Sequence, residues 1–66
     1  MRHFIFDVWT WCQEKHSMPL KSIRIEKDHF PTDREIMECM YKDEDVTVKM
    51  HKGKHIMYTN LREYTE

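Results

Sequence analysis

Pairs of cysteine and histidine residues are the part of this sequence whose spacing could support metal chemistry. Cys12 and His16 stand four positions apart, and so do His51 and His55. Thiolate and imidazole are ligands that Zn²⁺ prefers, but side chains at this spacing converge most easily from a helix. Both pairs fall at the ends of predicted strands or in loops. We therefore expect surface histidines, and neither a metal site nor another cofactor.

Nucleophilic catalysis would need a thiol or hydroxyl beside a positioned base and an oxyanion pocket. Cys39 lies between Ile36 and Met40 in a predicted helix, where a small buried hydrophobic residue is usual. Cys12 and His16 could form a nucleophile and base, but no third catalytic group accompanies them. A chain of 66 residues also leaves little room for a cavity that excludes water. The sequence therefore predicts no catalytic residues and no enzyme.

Aromatic and apolar residues near the start of the chain are better candidates for a functional site. Residues 3–12 are rich in β-branched and aromatic types, which predicts a strand whose alternate side chains point to opposite faces. One set is Phe4, Phe6, Val8, Thr10 and Cys12, and the other is His3, Ile5, Asp7, Trp9 and Trp11. One helix can cover only one of these faces. We therefore expect a partner-binding surface at Ile5, Trp9 and Trp11, with Phe30 on a loop as a second anchor.

Charge is unevenly distributed along the chain, although the total is nearly neutral. The sequence has 11 Lys and Arg against 12 Asp and Glu, which argues against a globally basic nucleic-acid binder. Six acids fall within residues 33–45, whereas residues 46–62 include Lys49, Lys52 and Lys54 and no acid. A bipolar surface of this kind would orient a charged partner. Ordinary solvated faces would give the same pattern.

Three kinds of partner fit these residues. Trp and Tyr dominate the hot spots of protein interfaces, so exposed aromatic rings among charges favour a protein partner. The alternative is a small nucleic-acid-binding regulator, in which Trp9 and Trp11 stack on bases while Lys49, Lys52 and Lys54 contact phosphates. A symmetric homodimer could also cover the apolar face. We favour the protein partner, because the lysines belong to the second predicted hairpin and the tryptophans to the first strand, so they are not expected to form one nucleic-acid-binding surface.

The elements that position these residues are predicted in the order β-β-α-β-β. Residues 20–27 alternate between apolar and polar types, which predicts a strand antiparallel to the first. Thr32 and Glu35 have the spacing of a capping box, which predicts the start of a helix. The acids at 43–45 are unfavourable at the end of a helix and should stop it.

A second hairpin is predicted after the helix. Residues 46–50 and 56–58 alternate on either side of Gly53, which we expect in the left-handed conformation of a three-residue loop. Residues 60–66 are expected to form a short polar end whose last residues fray. The predicted fold is α+β: one domain over residues 1–66, with an antiparallel sheet of about four strands and one helix on one face.

One set of residues in the N-terminal half has a spacing that matches a known family: Trp11, Ser17, Met18, Lys21, Ile23, Lys27 and Asp28. Through these residues, and with one extra residue in the first loop, the N-terminal half of the chain resembles the Dmd family of bacteriophage antitoxins. The resemblance implies a sheet-and-helix inhibitor without catalytic residues, which binds an endoribonuclease toxin of the RnlA/LsoA type and blocks its RNA site. More generally, it implies a phage anti-defence protein that acts on a host nuclease. Two cysteines, no signal-peptide core and no long apolar run predict a cytoplasmic location without membrane association. The resemblance implies that this is the cytoplasm of a bacterial host.

Overall fold

The computed structural model describes residues 1–11 and 19–65, except for the side chain of Trp11, and contains three strands and two helices. The strands are β1 (Arg2–Trp11), β2 (Pro19–Lys27) and β3 (His55–Tyr64), and the helices are α1 (Asp33–Lys42) and α2 (Glu44–His51). The strands form one antiparallel sheet in the order β2-β1-β3. The α+β class is confirmed. The predicted first connection, with Cys12 and His16, lies outside the described residues.

The hydrophobic core lies between one face of the sheet and both helices. Phe4, Phe6 and Val8 of β1 are completely buried, and β2 places Ile25 opposite Phe4 and Ile23 opposite Phe6. The helices contribute Ile36, Met40 and Val46 to the same cluster. Both helices therefore lie on one side of the sheet. The predicted division of β1 into two faces is confirmed for Phe4, Phe6 and Val8, which share the helical side.

A capping box starts α1 as predicted. The backbone N–H of Glu35 donates to the Thr32 hydroxyl at 3.3 Å, and the backbone N–H of Thr32 donates to the Glu35 carboxylate at 3.0 Å. These bonds satisfy amide groups that have no partner within the first turn of a helix. The helix then buries Ile36 and Met40 against the sheet.

The acids at 43–45 end α1 as predicted, but a second helix begins there, so the predicted strand at 46–50 is wrong. Asp43 is the C-cap of α1 and the N-cap of α2, and its carboxylate accepts the backbone N–H of Val46 at 3.2 Å. Glu44 and Asp45 then lie in the first turn of α2, where the helix dipole favours negative charge. An alternating run of five residues is too short to exclude a helix with one buried side.

The predicted second hairpin is also wrong, because β3 pairs with β1. Gly53 is left-handed as predicted, with φ of 78°, but it follows the C-cap of α2 and ends that helix. In the observed register Tyr58 lies opposite Val8 and Ile56 opposite Thr10, and neither is paired with residues 46–50. The sheet therefore has three described strands, and two helices stand where one was expected.

The second half of β3 replaces the polar end predicted at residues 60–66. The strand continues to Tyr64, and Leu61 packs against the core. A β-bulge interrupts its register with β1 between Ile5 and Asp7, near Asn60, whose φ is 59°. No helix within the described ranges is long and apolar enough to cross a membrane.

Candidate partner-binding site

The sheet face opposite the helices is the candidate site, because no element within residues 1–11 and 19–65 covers it. We call it the open face. Its residues come from all three strands: His3, Ile5, Asp7 and Trp9 of β1, Ser22, Arg24 and Glu26 of β2, and Met57, Thr59, Arg62 and Tyr64 of β3. The face therefore mixes apolar, aromatic and charged groups, as the centre and rim of protein interfaces do.

Ile5 and Trp9 supply the apolar surface of the open face, as expected. Both are half-buried, although they belong to the central strand, which completely buries Phe4, Phe6 and Val8 on its opposite face. The indole N–H of Trp9 donates to the Thr59 hydroxyl at 2.5 Å, which fixes the ring against β3. Met57 lies opposite Trp9 and is 48% exposed. Trp9 and Met57 form one apolar patch and Ile5 another, with Asp7 between them on β1, and a partner could cover both patches.

A fixed negative charge lies near the middle of the open face. The Asp7 carboxylate accepts hydrogen bonds from the Ser22 hydroxyl at 2.7 Å and the Asn60 amide at 3.3 Å, and Arg62 Nη1 lies 3.6 Å away. The Ser22 bond, followed by the Asn60 bond, holds the pKa of the Asp7 carboxyl below its usual range. Asp7 is therefore ionised at neutral pH, with its side chain only 17% exposed.

Two rings and an arginine occupy the end of the open face near the start of β1. The rings of His3 and Tyr64 lie with centroids 5.7 Å apart, and the Arg24 guanidinium lies 5.7 Å from the Tyr64 ring centroid. Because Arg24 belongs to β2 and Tyr64 to β3, the arginine side chain reaches across the central strand. Glu26 lies 3.4 Å from the His3 imidazole at the same end.

The structure does not bring Phe30 to the open face. Its ring packs edge-on against Phe4, with centroids 5.1 Å apart, and Phe4 belongs to the core on the helical side. Phe30 is 51% exposed, so it partly closes the core and leaves one ring surface to solvent. Any partner contact through Phe30 would be separate from contact with Ile5 and Trp9. Trp11 is opposite His55 in the register, and its side chain lies outside the described part.

The three lysines do not form a basic hairpin as expected. Lys49 lies in α2, Lys52 is its C-cap and Lys54 follows before β3, with the Lys54 backbone N–H donating to the Lys49 carbonyl at 3.2 Å. They surround the C-terminal end of α2, where positive side chains are favourable for the helix dipole. The lysines therefore do not line the open face.

The metal and thiol candidates within residues 1–11 and 19–65 are not assembled into a site. His51 ends α2 and His55 begins β3, and both are exposed. Cys39 is a free, half-buried thiol that packs against the core, in agreement with its predicted apolar role. Within the described residues, no group of three or more His, Cys, Asp and Glu side chains could hold a metal ion.

Sequence reasoning missed the contribution of β3 to this face. Arg62 and Tyr64 were assigned to a polar end, and Arg24 was only one of the polar residues in the alternation predicted for residues 20–27. The period of two from Met57 through Thr59, and again from Arg62 to Tyr64, was a signal for a strand. The bulge near Asn60 shifts this period by one residue and conceals it.

The fold and the open face define a class of protein, a small α+β domain with a three-stranded sheet and helices on one side. Comparisons with protein-family models, curated proteins and solved structures gave no match. The functional interpretation therefore rests on the geometry of the open face and on the resemblance described for the N-terminal half.

Proposed function

We propose that this chain is a non-enzymatic inhibitor that binds a host protein through its open face. The observation that carries the proposal is that Ile5 and Trp9, on the central strand, remain half-buried with no described element over them. Aromatic and aliphatic side chains of this kind anchor protein interfaces once a partner excludes water. The target we propose is a defence nuclease of the host, with an endoribonuclease toxin favoured by the resemblance to phage antitoxins.

The charges of the open face favour a protein over the alternative, a nucleic acid. A phosphate backbone that crossed this face to reach its two arginines would also approach Glu26 and ionised Asp7, and the three lysines lie away from it at the end of α2. A protein surface can instead match positive and negative groups one by one. The nucleic-acid regulator therefore remains the second hypothesis, and sensitivity to salt separates the two.

The size of the open face bears on how a partner would bind. Three strands of ten residues or fewer form a face of roughly 33 Å by 14 Å. The area of this face is about half of the area that each partner buries in a standard interface. A symmetric dimer through this face alone would be small for a stable assembly. A complex with a larger protein can also use the edges of the sheet, which supports a heterologous partner.

The test is capture of a partner from bacterial lysate by the tagged chain, with nuclease treatment and moderate salt. Wild type is compared with Ile5→Ala and Trp9→Ala, and Tyr41→Ala is the matched control, since Tyr41 is 49% exposed on α1. We expect one stoichiometric protein with wild type and the control, and an affinity at least about thirtyfold weaker for each open-face variant. Circular dichroism must show that all variants are folded.

The identity of the target is tested on the captured protein. We expect it to cleave RNA when free and to stop cleaving when the purified chain is added at one equivalent. Captured protein with no nuclease activity would overturn the target class and leave the binding function standing. Loss of all partners on nuclease treatment would favour the nucleic-acid hypothesis instead.

A further inference from the structure

Two arginines flank Ile5 on the open face. The register places Arg24 of β2 on one side of Ile5 and Arg62 of β3 on the other, and both are exposed. An apolar residue of the central strand is therefore paired with an arginine on each neighbouring strand, and the Arg24 side chain extends over the central strand towards Tyr64. Neither arginine belongs to the surface expected from the sequence.

Among the described residues, Arg24 contacts an aromatic ring and forms no ion pair with a carboxylate. Its guanidinium lies 5.7 Å from the centroid of the Tyr64 ring, a cation–π arrangement that restricts the long side chain. No carboxylate in the described part of the chain lies within ion-pairing distance of Arg24. A positioned guanidinium loses less conformational entropy when it binds a carboxylate than a free one does.

Arg62 is only weakly paired within the chain. Its Nη1 donates to the backbone carbonyl of Asn60 at 2.7 Å, while the carboxylate of Asp7 lies at 3.6 Å. That carboxylate already accepts hydrogen bonds from Ser22 and Asn60. The Arg62 side chain is 42% exposed, so the rest of its guanidinium can meet a second acceptor.

We propose that Arg24 and Arg62 bind carboxylates of an acidic protein segment, with an apolar side chain of that segment against Ile5. The inference rests on the proposed function and names the chemistry that the open face recognises. Guanidinium and carboxylate form paired, charge-assisted hydrogen bonds, and the apolar contact between them excludes water from both pairs. A segment in which a hydrophobic residue is flanked by Asp or Glu satisfies all three contacts.

The surrounding charges favour isolated carboxylates over a continuous phosphate chain. Ionised Asp7 is two residues from Ile5 on the same face, and Glu26 lies two residues from Arg24. A phosphate backbone that reached both arginines would carry charge past these acids. Separate carboxylates can contact the arginines and leave polar groups opposite Asp7 and Glu26.

The test is an NMR titration of the purified chain with three probes. The first is a short end-blocked peptide with one leucine between two pairs of glutamates, the second has glutamines at those four positions, and the third is a single-stranded oligonucleotide of similar length. We expect the glutamate peptide to shift the Nε resonances of Arg24 and Arg62 and the Ile5 amide. It should bind at least about tenfold more tightly than the glutamine peptide, because hydrogen bonds to charged groups are stronger than neutral ones.

Variants assign that difference to the two arginines. Arg24→Gln and Arg62→Gln should each lower the affinity for the glutamate peptide about tenfold and leave the affinity for the glutamine peptide unchanged. Arg34→Gln is the matched control, since that side chain is 90% exposed on α1, and it should change neither affinity. Equal binding of the two peptides, no binding of either, or tighter binding of the oligonucleotide at these arginines would each overturn the inference.

The same variants in the capture assay separate this inference from the proposed function. A partner lost by Ile5→Ala and Trp9→Ala but retained by both arginine variants would refute the carboxylate site and leave the inhibitor standing. If wild type captures no protein, the proposed function fails, and the peptide titration still decides whether the arginines bind carboxylates.

Discussion

Hydrogen bonds to one carboxylate control local charge in the turn before α1. Glu35 accepts the backbone N–H of Thr32, contacts His29 Nε2 at 2.9 Å and lies 3.3 Å from Lys27 Nζ. The Thr32 bond, followed by the His29 bond, lowers the pKa of Glu35 to about 2. In return Glu35, followed by Asp28, raises the pKa of the His29 imidazole. These contacts connect the end of β2 to the start of α1.

The His29 contacts should make the free energy of unfolding depend on pH. Because the pKa of His29 is higher in the folded state, its contribution is complete below the unfolded pKa and is lost as pH rises through the folded pKa. The Glu35 pKa is lower when folded, so its contribution is present above the unfolded pKa and is lost as pH falls towards about 2. We expect His29→Gln to flatten the fall in Tm as pH rises above about 6.5, the ordinary histidine pKa, as followed by circular dichroism. The exposed His51→Gln is the control, and an equal effect of both variants would contradict the prediction.

At the scale of elements, one residue divides the helical segment into two helices. Asp43 ends α1 and caps α2, and its carboxylate also lies 2.8 Å from Lys21 Nζ on β2. Thr47 adds a hydroxyl bond to the Asp43 carbonyl. The junction thus combines a helix cap with a contact to the sheet, and it directs α2 so that Val46 enters the core.

Substitution of Asp43 tests this double role. Asp43→Ala should lower the free energy of unfolding by about 1 to 2 kcal/mol, because it removes the cap of α2. Asp43→Asn should lower the free energy of unfolding by less, since asparagine caps helices nearly as well as aspartate. Only the attraction of the carboxylate to Lys21 disappears in that variant. Urea unfolding measures both values. Equal losses for the two variants would show that the charge, and not the cap, stabilises the junction.

The end of α2 depends on the conformation of Gly53. Its φ of 78° is unfavourable for residues with a side chain, while a Cβ added there would meet no atom within 4 Å. Gly53→Ala should therefore lower the free energy of unfolding by about 1 kcal/mol, because of the backbone conformation alone. Gly53→Asn should cost less, because asparagine tolerates this conformation. A much larger loss in urea unfolding would indicate a packing role that the open space around Gly53 does not provide.

At the scale of the whole molecule, the sheet separates a packed side from an open side. Every hydrophobic residue in the buried core cluster lies on the helical side, where Phe6 also contacts Tyr58 edge-on. The opposite side carries half-buried Ile5 and Trp9 between charges. The buried core therefore lies on one side of the sheet, and no element among the described residues covers the other side.

Alanine substitutions on the two sides of β1 should have opposite consequences. Phe6→Ala should cost about 3 to 5 kcal/mol, which approaches the whole stability of a small domain. Trp9→Ala should leave the chain folded and cooperative while it abolishes partner capture. Circular dichroism and urea unfolding compare the two variants. If Trp9→Ala unfolds the chain as Phe6→Ala does, the ring belongs to the fold and the open face is not the binding site.

Local patterns predicted the elements whose signals lie within a few residues. The alternation in β1 and β2 and the capping box at Thr32 and Glu35 correctly placed two strands and the start of α1. The segment at 46–50 was wrong because Asp43 was interpreted only as a stop signal, although an acid in that position also begins a helix. Of the candidate site, Ile5 and Trp9 were placed together as expected, while Phe30 and the three lysines were not.

The amino-acid sequence by itself determined the two-faced character of β1 and the cap of α1, because side-chain alternation and capping hydrogen bonds involve only neighbouring residues. The tertiary structure decided that β3 pairs with β1, so that Arg62 and Tyr64 join Arg24 around Ile5. It also decided that Phe30 packs on the helical side. These outcomes depend on contacts between residues far apart in the chain, and a bulge of one residue near Asn60 changes which side chains share a face.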